Sequence, residues 1–400
     1  MISRRYALVA GGGTGGHLVP AVTVAQALAV ARGADAVEIV GSRRGLEGDL
    51  LAATGLPVTR LPGRGFARSF GPRRVVANVG AAAALVAAWV MALALVRRRR
   101  PAVVVAMGGY GCVPVAMAAV VLGVPVVLVN LDAVPGAASR LVGRFARAAA
   151  VAFDATPLPR AVVTGAPVRP EIVAAARPDA DARRRARDTL ALPGDRFVVG
   201  VVGGSLGATT INRAALALAG LWAGRGDTVV YHVVGRRDAE AMARSAPVAG
   251  PAEDHVGGLV YRQVAYEDRM ALFYQAADVV VGRAGANTVA ELAVIGVPAV
   301  LVPLPGAPGD HQTANAGVLA AAGGAVVVPD GECSGERLAD ELEALRSPPG
   351  RLEQMAAAAA SLGRPDATAA VVAVVERHAR AGPRPAGTAG AATRARQGAR

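Results

Sequence analysis

The chain has 400 residues, which is enough for two domains with separate cores. Hydrophobic residues make up 53% and aromatics only 4%, so the cores must be built from alanine, valine and leucine, and nucleic-acid binding by base stacking is disfavoured. The formal charge is +13 and every basic residue is arginine; the absence of lysine excludes a Gly-Lys-Ser/Thr phosphate loop, and two cysteines are too few for a disulfide framework or a zinc site.

The first residues run straight into a strand-like segment, 6–10, without a signal-peptide pattern. That strand feeds Gly11-Gly12-Gly13-Thr14-Gly15-Gly16-His17, after which a helix is expected from Pro20 to residue 31. A strand follows at 37–40. The turn fits a Gly-x-Gly-x-x-Gly frame only loosely, and Glu38 is the sole acid near the second strand end, which speaks against a dinucleotide dehydrogenase. Residues 75–96 carry no charge and are followed by Arg97-Arg98-Arg99-Arg100. Length alone permits a membrane span. A strand at 102–106 follows at once, however, so a crossover helix over 74–98, buried or seated on an anionic membrane face, is the expectation. Next come Met107-Gly108-Gly109-Tyr110-Gly111, a helix at 113–121, a strand at 124–129, a helix at 136–147 and strands at 148–152 and 161–163. The stretch 165–195, with its prolines and charges, reads as a connection holding a short helix. Asp179-Ala180-Asp181 within it matches a metal motif in letters only and reads as a solvated face.

The second half restarts the pattern. A strand at 197–202 feeds Gly203-Gly204-Ser205-Leu206-Gly207-Ala208, and strands are expected at 228–234, 278–281, 299–302 and 325–328. Helices are expected to begin near Ala208, Asp268, Gly285, Asp310 and Glu336, with a last one over 367–379. The tail 381–400, rich in Gly, Ala, Arg and Pro, reads as disordered. The fold class is α/β with two Rossmann-like halves: 1–165, a connection at 166–195, 196–365, and a C-terminal helix at 366–380.

Strand, glycine turn and helix together present bare backbone N–H groups and a helix N-terminus to an anion. His17 closes the first such turn, where it is either structural or a general base or substrate contact. Ser205 could add a hydroxyl to a phosphate held by the second turn, which otherwise is a tight connection. In Arg283-Ala284-Gly285-Ala286-Asn287-Thr288-Val289-Ala290-Glu291, the spacing of Thr288 and Glu291 fits a capping box, while Glu291 could equally accept two ribose hydroxyls. His311 and Gln312, in Asp310-His311-Gln312-Thr313-Ala314-Asn315, suit a sugar or an ordinary helix start. Arg169, in Thr164-Gly165-Ala166-Pro167-Val168-Arg169, could meet a phosphate or lie on the surface.

In their order these motifs, with Gly108-Gly109-Tyr110 and Asp132-Ala133-Val134-Pro135-Gly136, resemble the MurG family. These are the UDP-N-acetylglucosamine transferases that convert lipid I to lipid II in peptidoglycan synthesis. The resemblance covers about residues 5 to 330. It implies a GT-B fold, two Rossmann-like parallel-sheet domains with a cleft between them, and an inverting transfer without metal or cofactor. It places Thr14, Gly15 and Gly16 beside the sugar and diphosphate, and Arg169 and Ser205 on the nucleotide. Ala286, Asn287, Thr288, Val289 and Ala290 would form the donor loop, with Glu291 on the ribose. Gln312 would meet the GlcNAc hydroxyls with His311 beside it, and Glu267 would fall at the uracil contact made through backbone. His17 is the implied base. The family usually reads His-Glu-Gln-Asn where this chain has Val129-Asn130-Leu131-Asp132, so Asp132 could instead orient His17 or act as the base. The implied partners are UDP-GlcNAc, undecaprenyl-linked lipid I and the anionic inner membrane face, with no nucleic acid; the implied place is peripheral, on the cytoplasmic face of the cell membrane. The alternatives are a relative with another lipid or natural-product acceptor, a UDP-sugar 2-epimerase, and a non-catalytic UDP-sugar-binding homologue.

Overall fold

Short valine-rich runs without polar alternation suit strands buried on both faces, as a parallel sheet covered by helices requires. The computed structural model describes residues 4–12, 15–42, 51–52, 54–62, 72–204, 207–245 and 258–380, and it contains two such sheets. The first half runs β1 (Ala7–Ala10), α1 (Gly15–Arg32), β2 (Val37–Ser42), β3 (Val58–Leu61), α2 (Pro72–Arg99), β4 (Val103–Ala106), α3 (Val113–Val121), β5 (Val126–Asn130), α4 (Ala137–Phe145), β6 (Ala148–Val151) and β7 (Ala161–Val163). Its strand order is β3-β2-β1-β4-β5-β6-β7. Ala7 lies opposite Val37 on one side and Val103 on the other, both in parallel register.

The chain continues through α5 (Pro170–Ala174) and α6 (Ala180–Thr189) to β8 (Phe197–Val202), α7 (Thr209–Leu221), β9 (Thr228–Val233), α8 (Ala239–Ser245) and β10 (Val260–Val264). Then come α9 (Met270–Ala276), β11 (Val279–Gly282), α10 (Ala286–Ile295), β12 (Ala299–Leu301), α11 (His311–Ala321), β13 (Ala325–Val327), α12 (Gly335–Arg346), α13 (Arg351–Leu362) and α14 (Ala367–His378). The second sheet has the order β10-β9-β8-β11-β12-β13, the doubly wound arrangement of a dinucleotide-fold half. Both its faces are packed. Phe273, Tyr274, Leu292 and Ile295 are buried on one side, and Ile211, Leu218, Leu338 and Leu342 on the other. Each such side chain contributes about 1.5–3 kcal/mol of burial.

Residues 1–129, 138–149 and 371–400 form one compact unit, and 130–137 with 150–370 form the other. The units therefore do not part at a single connection over 166–195. In the first unit, Arg32 of α1 pairs with Glu376 at 2.7 Å and the Arg380 N–H bonds the Ala102 carbonyl at 3.0 Å, which explains why the end of the chain returns there. The connection itself holds two helices. Asp179 caps α6 by accepting from the Ala182 N–H at 2.7 Å, and exposed Asp181 pairs with Arg184 at 3.4 Å, so the Asp-x-Asp letters are a helix start.

Other differences from the sequence expectations have local causes. Helix α1 begins at Gly15, five residues before Pro20, which sits inside it. Glu38 is the second residue of β2, at its amino end, and is buried; Arg5 (3.2 Å), Arg99 (2.7 Å) and Thr59 (2.6 Å) all meet its carboxylate. Its role is structural. The tail 381–400 lies outside the described residues.

Helix α2 is two-sided. Ala81, Ala88, Ala92 and Leu95 are buried, whereas Val86, Trp89, Val90 and Met91 are exposed. Among the described residues, two stretches, Gly80–Arg99 and Arg351–His378, are long and apolar enough to cross a membrane by length and composition alone. In the second, α13 and α14 each bury one side, at Met355 and Ala359 and at Val371 and Val375.

Candidate active site

In an open α/β sheet, ligands sit outside the carboxyl ends of the strands where the strand order reverses. In the first unit that place lies between β1 and β4, which are neighbours. The backbone that leaves them, at Gly11 and Gly12 and at residues 107–111, meets there. Gly108 and Gly109 have left-handed backbones, with φ of 81° and 70°. A Cβ on Gly109 would stand 2.9 Å from His17 Cδ2 and 2.8 Å from the Gly12 carbonyl oxygen, and one on Gly108 would stand 3.3 Å from His17 Cε1. The imidazole of His17 thus rests on bare backbone. His17 is half-buried and Gly16 is exposed, both in the first turn of α1. The N-terminus of that 18-residue helix, which starts at Gly15, lies here with the positive end of its dipole. Thr14 lies outside the described residues.

In the second unit the equivalent turn leaves β8. A Cβ on Gly207 would lie 2.3 Å from the Val234 carbonyl oxygen, and one on Gly203 would lie 2.4 Å from the Ala208 nitrogen, so the turn admits no side chain at either place. Ser205 lies outside the described residues. Beneath this turn is a buried polar chain absent from the sequence reading. Asn212 Nδ2 donates to the Val234 carbonyl at 3.0 Å and to Asp238 at 3.1 Å, while Asn212 Oδ1 lies 3.0 Å from His232 Nε2. An amide oxygen only accepts, so Nε2 carries the proton and Nδ1 accepts from the Tyr261 hydroxyl at 2.8 Å. Burial lowers His232 to about 4, which keeps the ring neutral.

The turn after β11 opens α10. Gly285 is the N-cap and Ala286 the first helical residue. Ala286, Asn287, Thr288 and Ala290 are partly exposed, and Val289 is buried. Thr288 is thus inside the helix, and Glu291, a turn further on, does not cap it. Its carboxylate instead accepts from Arg169 Nε at 3.2 Å and Nη2 at 3.0 Å, and from the Tyr274 hydroxyl at 3.0 Å. Arg169 is brought there as the N-cap residue of α5. Burial pushes the Glu291 carboxyl above its ordinary value, and the Arg169 guanidinium opposes that. Burial, the largest single influence, pulls Arg169 down, but the charges of Glu291, Tyr274 and Glu171 and the hydrogen bond to Glu291 together outweigh it and Arg169 ends raised. The Tyr274 hydroxyl, fully buried, is raised by desolvation first and by Glu291 second.

Helix α11 supplies the rest. Gln312 Oε1 accepts from the Leu304 N–H at 3.0 Å, and His311 Nδ1 donates to the Pro308 carbonyl at 2.9 Å. Asn315, fully buried, donates to Asp132 Oδ1 at 2.9 Å and to the Ala284 carbonyl at 3.3 Å, and accepts from the Ala133 N–H at 2.8 Å. It joins the loop before α10 to residues 132–133. Sequence reasoning quoted this asparagine and gave it no role; a polar residue among alanines on a helix was the available signal. Asn130 Nδ2 closes the same loop on the Asp132 carbonyl at 2.7 Å. Asp132 belongs to the second unit and His17 to the first. Glu267 is also fully engaged: Tyr231 (2.6 Å), the Arg269 N–H (2.9 Å) and Arg269 Nε (3.0 Å) hold its carboxylate and fix the turn at 267–269.

The chain matches the glycosyltransferase family 28 N-terminal domain over residues 7–151 and the C-terminal domain of that family over 198–371. It is 39% identical to a protein of Moorella thermoacetica, covering 92% of this chain and 97% of that one, and 41% identical to one of Alkalilimnicola ehrlichii, covering 93% and 99%. Both are named UDP-N-acetylglucosamine--N-acetylmuramyl-(pentapeptide) pyrophosphoryl-undecaprenol N-acetylglucosamine transferase. Among solved structures, MurG of Acinetobacter baumannii superposes with a TM-score of 0.71 at 29% identity, over 94% of this chain and 99% of that one. With its two parallel-sheet units, the chain has the GT-B fold and belongs to the MurG family of glycosyltransferases.

Proposed function

We propose that this protein transfers GlcNAc from UDP-GlcNAc to the 4-hydroxyl of the N-acetylmuramic acid of lipid I, giving lipid II and UDP. The observation that carries this is the near full-length relationship to enzymes named for that transfer. In the reaction, the acceptor oxygen forms a bond to the anomeric carbon as the bond from that carbon to the UDP oxygen breaks, with inversion. The hydroxyl proton passes to His17, whose place on the first turn of α1 supports its role as base. Charge gathering on UDP is met by Arg169, the glycine-turn N–H groups around Gly15, Gly16 and Ser205, and helix N-termini, so no metal is required. Thr14, with Gly15 and Gly16, serves the sugar and diphosphate. The open start of α10 (Ala286, Asn287, Thr288, Val289, Ala290) is the donor loop, with Glu291 taking the ribose hydroxyls. Gln312 and His311 serve the sugar, and the backbone near Glu267 serves the base. Asp132, tied to Asn315, serves the acceptor side or assists as base.

Transfer of labelled GlcNAc to a lipid I analogue, with and without a chelator, tests the whole reading. Chelator-insensitive product is expected. Donor binding without product would assign the protein a different acceptor or a binding role, and donor consumption without acceptor would indicate an epimerase.

The protein acts at the anionic inner face of the cell membrane, as a peripheral protein. The support is α2, whose exposed Val86, Trp89, Val90 and Met91 lie on the same helix as the terminal Arg97–Arg99. High salt is expected to release the protein from membranes; retention through salt and alkaline washing would indicate a spanning helix instead.

A further inference from the structure

Polar side chains are costly inside a core, and a chain of them in which each meets its partner fixes one arrangement. Asn212 and His232, both fully buried, belong to such a chain, which runs from β10 through β9 to α7. Its direction follows from chemistry. The Val234 carbonyl only accepts, so Asn212 turns Nδ2 to that oxygen at 3.0 Å and Oδ1 to His232 Nε2 at 3.0 Å. His232 therefore donates from Nε2, and its Nδ1 accepts from the Tyr261 hydroxyl at 2.8 Å. That hydroxyl gives its one proton to Nδ1, since its other neighbour, Gln263 Oε1, is farther away at 3.4 Å.

The other end of the chain lies against the glycine turn that leaves β8. Asn212 is the fourth residue of α7, the 13-residue helix that this turn opens. Both partners of its Nδ2, the Val234 carbonyl and Asp238, also bound Gly207, where a Cβ would stand 2.3 Å from the first and 3.1 Å from the second. Asp238 accepts as well from the hydroxyl of Thr209, the first residue of α7, at 3.2 Å. Asn212 thus ties down the segment 234–238 on which the turn and the helix start both rest, and His232 fixes which way Asn212 faces. We infer that His232, acting through Asn212, is a positioning residue for the departing diphosphate, holding the start of α7 and its turn where charge gathers on UDP. The inference rests on the proposed reading that this turn faces the diphosphate. A preorganised set of donors loses strength steeply when its geometry loosens, whereas that reading puts the contacts to the base elsewhere, near Glu267.

The test compares the affinities of the full chain for UDP and for uridine, which lacks the phosphates, by calorimetry with uridine measured in competition. The wild type is expected to bind UDP more tightly. Equal affinities would overturn the diphosphate reading, and the inference with it, before any variant is made. Two amide variants of similar size then separate the two ends of the ring. His232→Asn can replace Nδ1 against Tyr261 but does not reach Asn212, and should weaken UDP by about tenfold and uridine by less than about twofold. His232→Gln can still donate to Asn212 in place of Nε2, and should bring UDP affinity back to within about threefold of the wild type. Leu345→Ala, in the same core but on α12, is the control for stability: it should lower the unfolding midpoint and leave both affinities unchanged. If neither amide variant folds, Tyr261→Phe decides by the same criterion, with a loss of about threefold expected for UDP alone. UDP affinity that does not move, UDP and uridine weakened by the same factor, a His232→Gln as weak as His232→Asn, or an equal loss in Leu345→Ala overturns the inference.

Discussion

Replacing His17 with alanine is expected to lower kcat by about 10²–10⁴-fold while leaving the affinity for UDP within about twofold. The expectation rests on where the ring sits. Helix α1 starts at Gly15, so His17 lies in its first turn and not in a loop ahead of a later helix. Its imidazole lies against Gly108 and Gly109, whose missing Cβ atoms make room for it. A ring held this way can meet an acceptor hydroxyl with little reorganisation, whereas a contact to UDP would be made by the backbone around it and survive the substitution. A second variant probes the same geometry from the other side. Gly109→Ala keeps the imidazole but puts a methyl group 2.9 Å from Cδ2 and 2.8 Å from the Gly12 oxygen, so the ring or the turn must shift. It should reduce kcat by a smaller factor than His17→Ala, with donor affinity little changed. An unaltered kcat in His17→Ala would remove His17 as the base, and Asp132→Asn would then become the decisive variant.

The parts of the fold that the sequence made legible are those that repeat a strong local signal. A valine run ending in glycines and followed by an apolar helix marks β1, β4, β8 and β11, and these four strands carry the candidate site. The strands without a clear sequence signal, β3 (Val58–Leu61) and β10 (Val260–Val264), each form one edge of their sheet; the opposite edges, β7 and β13, are short apolar runs. An edge strand can be half-solvated, and these two include Thr59, Arg60, Arg262 and Gln263 and lack the unbroken apolar pattern of a central strand. The start of α1 was placed late because glycines and Pro20 are poor helix formers; the burial of Leu18, Ala21 and Val24 against the sheet overrides that preference. At the site, residue types were legible but partners were not. Nothing local to Glu291 distinguishes a cap from a buried carboxylate, because Arg169 is 122 residues away in sequence. The roles of Asn315 and Asn212 are hidden for the same reason: each is defined by carbonyls and acids that only folding brings near.

Glu291→Ala should cost the protein about 2–4 kcal/mol of stability and also raise KM for UDP-GlcNAc, and the two effects can be separated. The stability loss follows from the surroundings of the carboxylate. It receives two hydrogen bonds from Arg169 and one from Tyr274; its removal leaves the phenol facing a cavity without an acceptor and the guanidinium with Glu171, at 3.6 Å, as its remaining acid partner. The Arg169 side chain is 23% exposed, so water recovers part of its solvation and the loss falls below that of a fully sealed pair. Tyr274→Phe removes one of these bonds and none of the charge, and should cost only about 1 kcal/mol with KM unchanged. Glu291→Gln is the discriminating variant. Its amide oxygen can still accept from Tyr274 or Arg169, which restores much of the stability, but it cannot accept from two ribose hydroxyls as a carboxylate does. If Glu291 holds the ribose, Glu291→Gln will show a raised KM at temperatures well below its unfolding midpoint, with kcat reduced less. If the residue only braces α10 against α5, KM will return to the wild-type value as stability does. Arg169→Gln completes the set: on the proposed reading, in which the guanidinium that steadies Glu291 also meets the charge developing on UDP, it should raise KM and lower kcat together.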